Sequence, residues 1–298
     1  MDSMRDRFTA VATELLDTDE RIAVVLADIG VAGFHNAGAI GRHPSRVINV
    51  GIREQAMIGI GAGLALEGFR PIIHTYAPFL VERPYEQVKL DLLHQGVGAI
   101  LVSVGASHDA ATSGRTHHSP ADVHLISALA DWEIAVPGHP DELESILRQS
   151  ASQDHNVYIR LAGTQNTEPV SSRGLAVIRE GLSQPPTVLT VGPMLDPTLE
   201  ATADMDVRIV YTPHAKPWNR QELRAAVGDG DVIVVEPYLE GTSLRSVAAA
   251  LADAPRRFLA IGVGEAENRG YGTPRDHDVA HGLDPAGIKA AIEGFVAG

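Results

Sequence analysis

The sequence has no cysteine, which excludes a disulfide framework and any thiolate-ligated metal. It is short of positive charge, with 24 Lys and Arg against 38 Asp and Glu, a net charge of −14 and no Lys/Arg run. Non-specific nucleic-acid binding is therefore not expected. No apolar run reaches the roughly 18–20 residues of a membrane helix. The opening stretch, Met1 to Phe8, has no apolar core of the kind a secretory leader needs. Internal repeats and low-complexity tracts are also absent. What remains is a cytoplasmic globular chain with no membrane or nucleic-acid partner. Its 298 residues, 44% hydrophobic, suffice for two domains of ordinary size with a substantial core.

The apolar residues are grouped in short, β-branched runs separated by helical patterns. Ile22–Ala27, Arg46–Val50, Pro71–Tyr76, Ala99–Val104 and Val157–Leu161 read as buried strands. Helix signals occupy Ala10–Leu16, Arg53–Glu67 and Tyr85–His94. This alternation predicts a parallel sheet covered by helices on both faces. Residues 167–186 turn polar, with Thr167-Glu168-Pro169 and Ser171-Ser172, and read as a linker. A second series follows, with strands at Thr187–Gly192, Val207–Tyr211, Val232–Glu236 and Phe258–Gly262 and a helix over Gly241–Leu251. The expected plan is two parallel-sheet α/β domains, residues 1–166 and the smaller 187–298.

The most informative stretch is Asn49-Val50-Gly51-Ile52-Arg53-Glu54-Gln55-Ala56-Met57. It leaves a strand through a glycine turn and starts a helix with Glu54 in the first turn, where a carboxylate is favoured by the positive helix end. By that fact alone Glu54 is an ordinary first-turn acid. Its surroundings say more. The stretch resembles the transketolase family, whose N-x-G-I-x-E-Q phrase carries the acid used in thiamine chemistry. The resemblance continues through Thr75-Tyr76-Ala77-Pro78-Phe79, Arg83, Glu86-Gln87, Ser107-His108-Asp109, Gly114-Arg115-Thr116-His117, Tyr158-Ile159-Arg160 and Gly282-Leu283-Asp284. These pieces span nearly the whole chain in the family's order.

The resemblance implies a thiamine-diphosphate pyrimidine-binding domain followed by a transketolase C-terminal-like domain, together forming one subunit of a split enzyme. It implies that Glu54 meets the cofactor's aminopyrimidine, where a carboxyl in an apolar site promotes proton transfer, and that Phe79 stacks on that ring. Tyr76, Ile52 and Asp28 are placed by the resemblance near the cofactor, with Ile52 as part of a dry wall. His117 faces the reacting carbons, where an imidazole suits proton transfer near neutrality. His108 and Arg160 grip the anionic end of a sugar phosphate. Taken without the resemblance, Phe79 reads as a core residue, Tyr76 as a half-buried strand residue and Arg160 as a structural ion-pair partner. His118 reads as a second substrate contact or a surface residue.

Thiamine enzymes hold the diphosphate through Mg²⁺, with a Gly-Asp-Gly phrase followed about thirty residues later by Asn, a set of hard oxygen ligands. Here Gly228-Asp229-Gly230 runs directly into a strand and the next Asn is Asn268, so 228–230 reads as a turn. No metal-ligand set is expected in this chain. The resemblance then implies a partner subunit carrying the metal and diphosphate domain, in an α₂β₂ assembly. Three departures leave the sugar or sugar-phosphate substrate open. The His108–His117 loop is short, Ser113 stands among the substrate-facing residues where many relatives carry Asp, and Ala32 replaces a phosphate-binding Ser. A ketol transferase, a deoxyxylulose-phosphate-synthase-like or 2-oxoacid-dehydrogenase-beta-like subunit, and a non-catalytic partner-binding paralogue all remain compatible with the residues.

Overall fold

The short apolar runs build two sheets. In the computed structural model, which describes residues 3–170, 174–182, 185–267 and 269–298, the strands are β1 (Ile22–Leu26), β2 (Val47–Asn49), β3 (Arg70–Tyr76), β4 (Ile100–Val104), β5 (Trp132–Ala135), β6 (Asn156–Arg160), β7 (Ala176–Arg179), β8 (Thr187–Val191), β9 (Arg208–Thr212), β10 (His214–Lys216), β11 (Val232–Leu239) and β12 (Phe258–Val263). Ser171, Ser172 and Asn268 lie outside the described residues. The first sheet runs β10-β5-β6-β4-β3-β1-β2 and the second β12-β11-β8-β9-β7. Neighbouring strands are parallel except for the edge pairs β10–β5 and β7–β9.

Parallel strands must be covered on both faces, which is why β1, β4 and β8 are buried along their whole length. On one face of the first sheet the helices Met4–Thr18 and Pro140–Ala151 pack Phe8, Leu16, Leu143 and Leu147 against β1, β3 and β4. On the other face Met57 and Ile58, from the helix Glu54–Leu66, meet Val25, Ile73 and Leu101. Each fully buried aliphatic or aromatic side chain contributes about 1.5–3 kcal/mol. The second sheet has its own two-faced core, with Ile209, Val235 and Ile288 on one side and Leu189, Val234 and Val247 on the other.

Two short strands depart from the sequence reading. The segment 167–186, expected as a linker, contributes β7, which pairs antiparallel with β9 at the edge of the second sheet. β10 lies in the chain after β9 yet pairs with β5 of the first sheet. Both sit at sheet edges, where a strand needs only one partner and can be as short as these.

Further contacts tie the two units together. The buried Glu142 carboxylate accepts the Gly138 N–H (2.8 Å), the Val170 N–H (2.8 Å) and the Tyr211 hydroxyl (2.6 Å). Leu239 N–H donates to Pro120 O at 2.7 Å. Residues 228–230 form a turn after the helix Arg220–Val227. Among the described residues no helix is long and apolar enough to cross a membrane.

Candidate active site

The carboxyl ends of the first sheet's strands carry the residues that the sequence assigned to cofactor and substrate. Asp28 follows β1, Glu54 follows β2, and Tyr76 and Phe79 sit at the end of β3. His108, Ser113 and His117 follow β4, and Arg160 ends β6. In open parallel sheets this edge is where ligands bind.

The β2 exit is shaped by Gly51 at φ +71°, a left-handed conformation that glycine adopts without a side-chain clash. Asn49 braces it, its Oδ1 accepting from Gly51 N–H (3.1 Å) and Asp28 N–H (3.0 Å), while its amide donates to Asp28 Oδ1 (3.0 Å). Asp28 itself is exposed, in a left-handed conformation at φ +61°. The helix then opens at Glu54 without a side-chain cap. Ile52 projects outward, 71% exposed, while Glu54 is only 3% exposed.

Glu54 reaches the next strand exit through Arg83, whose Nη1 donates to Glu54 Oε1 at 2.6 Å. Arg83 is placed by a π-type turn over Pro78–Glu82, its N–H closing an i→i+5 bond to Pro78 O at 3.0 Å. The Arg83 guanidinium lies 4.1 Å from the centre of the Phe79 ring. Phe79 meets His117 edge-on at 5.0 Å and Tyr76 at 6.1 Å, and Tyr76 meets His117 at 5.8 Å. All three rings are half-buried. Thr116 Oγ1 lies 3.0 Å from His117 Nδ1 and orients that ring. Tyr76 packs over Gly105, where an added Cβ would collide with its ring. Glu54, Arg83, Phe79, His117 and Tyr76 are thus one continuous cluster, a buried carboxylate beside partly open aromatic faces. Ser113 is exposed in the short turn Ala111–Ser113 and is not part of it.

His108 and Arg160 line a different cavity, with Ser107, Asp109, Asp278 and His281. Arg160 is sealed. Its Nε donates to Asp122 Oδ2 at 2.8 Å, and its Nη2 to Ser107 Oγ at 2.6 Å and Pro237 O at 3.1 Å. Tyr158 donates its hydroxyl to Asp122 Oδ2 at 2.7 Å and lies 2.8 Å from Ser103 Oγ. Next to Arg160, the Tyr238 hydroxyl meets Ser243 Oγ at 2.6 Å, and Ser243 N–H donates to the fully buried Glu236 at 2.9 Å. Burial pushes the Glu236 carboxyl up to about 7.

His108 belongs to a group of histidines from both domains. It stacks on His277 at 4.3 Å and on His281 at 5.2 Å, and meets His118 edge-on at 4.9 Å. Burial, followed by the neighbouring imidazoles, lowers His108 to about 3. His118 and His281 are likewise lowered, chiefly by burial. His118 is 1% exposed, which corrects the surface alternative: the Gly114–Ser119 loop folds its ring under the second domain. His277 and His281 went unread in the sequence, although their one-turn spacing was visible there. Only the fold brings them to His108.

A family model described as "Transketolase, pyrimidine binding domain" matches residues 2–167. An uncharacterized 33.6 kDa protein in the fasciation locus of Rhodococcoides fascians is 45% identical, over 98% of this chain and 95% of that protein. One of the subunits of the apulose-4-phosphate transketolase of Actinobacillus succinogenes is 27% identical, over 96% of this chain and 94% of its own. The chain also matches longer relatives and spans about half their length, as with the 48% covered of 1-deoxy-D-xylulose-5-phosphate synthase 2 of Geobacter sulfurreducens, 29% identical. A solved structure of a split gene transketolase, an inactive beta4 tetramer, has the same fold, with a TM-score of 0.84 at 24% identity over 99% of this chain and 98% of that one.

Proposed function

The chain belongs to the transketolase family through its pyrimidine-binding domain, and from that premise we propose that it is the pyrimidine-side subunit of a thiamine-diphosphate-dependent transketolase. The reaction is transfer of a two-carbon ketol unit from a ketose or ketose phosphate to an aldose. The observation that carries this reading is the buried Glu54 carboxylate at a helix start, one ion pair away from the half-buried rings of Phe79, His117 and Tyr76.

These residues fit the cofactor's aminopyrimidine end. A carboxylate held in a water-poor site, an aromatic face and an exposed apolar residue, Ile52, stand together at the sheet's ligand-binding edge. When bound, the cofactor supplies the carbanion chemistry that breaks and remakes the carbon–carbon bond. Glu54 would take and return the proton that the ring nitrogen exchanges. Arg83 takes one oxygen of Glu54 and one face of Phe79, so it pre-orients the carboxylate and yields or shares that place on cofactor entry. Phe79 and Tyr76 hold the ring, and His117 moves a proton at substrate oxygen, its ring steadied by Thr116. Asp28 stands beside the same edge. His108 meets the substrate's far, anionic end at a cavity that Arg160 also lines, its guanidinium already donating to Asp122, Ser107 and Pro237 O, and Ser113 is exposed on the same loop after β4.

The diphosphate and its Mg²⁺ belong, in this reading, to a partner subunit in an α₂β₂ assembly. Support comes from the Actinobacillus relative, itself one subunit of a transketolase and matched by this chain end to end, and from residues 228–230 forming a plain turn. Donor assays on the reconstituted complex test the reading. Ketose-dependent turnover is expected. Turnover with pyruvate but not with ketoses would favour a synthase-like activity instead, and no turnover with either class would refute the transferase.

A further inference from the structure

We propose that His108, His277 and His281 form a binding site for a divalent transition ion of the zinc class, joining the two domains. One nitrogen from each ring lies within 4.8 Å of the others. A tetrahedral zinc with bonds of about 2.0–2.1 Å needs nitrogens about 3.4 Å apart, so the rings, now nearly parallel to His108 at 6° and 14°, would turn out of their stack to bring their lone pairs onto one ion. The ligands come from distant parts of the fold. His108 is on the loop after β4, while His277 lies on the helix Pro274–Ala280 and His281 caps its end. Residues four apart share one helical face, which brings the pair to the same side of His108.

A second observation points the same way. His281 Nε2 is buried without a hydrogen-bond partner, and the buried ring of His118 packs edge-on against His108 and His277. Buried polar atoms are normally satisfied, and an ion at this point would satisfy such a nitrogen. His281 Nδ1 makes only a long contact, 3.3 Å, with Gly264 N–H. Ligation through Nε2 would select the other tautomer and release that contact. All-imidazole donors suit zinc, cobalt, nickel or copper and do not suit magnesium. Ser107, Asp109, Arg160 and Asp278 line the adjoining cavity. An ion held by three histidines would therefore keep an open coordination position towards it, as catalytic or ligand-binding metal sites do. Ion uptake here needs neither thiamine diphosphate nor a partner subunit, so its test is separate from that of the transketolase reading, although both use His108: an ion held there would meet the substrate's anionic end through its open position.

The test uses the full, untagged chain alone, stripped with chelator and titrated with Co²⁺. Visible d–d absorption reports coordination, and Zn²⁺ competes. One equivalent per chain is expected, displaced by Zn²⁺ and not by Mg²⁺. A rise in melting temperature of about 5 °C is expected at a hundredfold excess over Kd. His281→Ala and His277→Gln should weaken binding at least about 100-fold, with circular dichroism confirming that each variant is folded, while the exposed-residue variant His94→Ala should bind as the parent does. Absence of stoichiometric uptake by the parent chain would overturn the proposal. Undiminished uptake in folded His277→Gln/His281→Ala would do the same. Should these variants fail to fold, the parent's Co²⁺ spectrum and melting shift decide alone.

Discussion

Two polar regions share the carboxyl edge of the first sheet, and they are built in opposite ways. Around Glu54 a buried carboxylate faces a half-exposed arginine and partly open rings, and its contacts are few. Around Arg160 nearly every polar atom is already spoken for: Asp122, Tyr158, Ser107 and Pro237 O close a network that spans both domains. Open, under-committed polar groups are what a site needs to meet a ligand. A closed buried network fixes geometry, and it is destabilising to break because the remaining charge is left unpaired. The contrast teaches that two residues drawn from the same family phrases have different work. Glu54 is left open to a ligand, as its proposed role requires. Arg160 also holds Ser107 and its neighbour His108 at the mouth of their cavity.

The sharpest way to break this comparison is Glu54→Gln. In the reconstituted complex, turnover should fall about 10²–10⁴-fold while the chain's melting temperature barely moves. Near-normal turnover would remove Glu54 from the mechanism. Asp122→Ala should do the reverse, costing about 3–5 kcal/mol of stability in urea unfolding by leaving Arg160 buried and uncompensated. A loss below about 1 kcal/mol would mean that the network is not closed.

A pH series sharpens the same contrast on the sealed side. Burial raises the folded-state value of Glu236 from the ordinary 4.5 to about 7. Its contribution is therefore fully present below about pH 4.5 and lost as pH rises through about 7. Glu236→Gln should thus melt higher than the parent at pH 8, by several degrees at about 2–4 °C per kcal/mol. The two should converge near pH 4.5, and a difference independent of pH would contradict the assignment. The smallest effect belongs to the open side. Phe79→Leu should weaken cofactor affinity by about 0.5–1.5 kcal/mol, the stacking contribution beyond burial, measured by calorimetry with the partner subunit present. An unchanged affinity would place Phe79 outside the cofactor contact.

Much of this was legible in the sequence because it is local. β1 is a continuous apolar run of strand length and β4 and β8 are apolar runs broken only by Ser103, Thr187 and Thr190, and burial on both faces of a parallel sheet leaves that imprint. The turn through Gly51 into Glu54 is likewise written in consecutive residues. The elements that escaped the reading depend on distant partners. β10 is a His-Ala-Lys triplet with no apolar signature, and it is a strand only because β5 offers an edge. β7 is a short apolar run, Ala176-Val177-Ile178, inside a segment whose polar residues read as a linker, and it is a strand because β9 offers an edge. Arg83 was visible as a family residue, but its ion pair with Glu54 required the π-type turn that carries it back to the helix start. The histidine group was hidden most completely, since His277 and His281 belong to the last helices of the second domain and meet His108 only across the domain boundary.

The central claim is that this chain holds the pyrimidine half of a thiamine-diphosphate site and depends on another polypeptide for the rest. Isothermal titration of thiamine diphosphate with Mg²⁺, into this chain alone and into its mixture with a candidate metal-domain subunit carrying the Gly-Asp-Gly and Asn ligands, tests it directly. The account predicts saturable binding in the mixture and none by the chain alone. Tight binding by the chain alone, or none in a mixture that forms a stable complex, would contradict it.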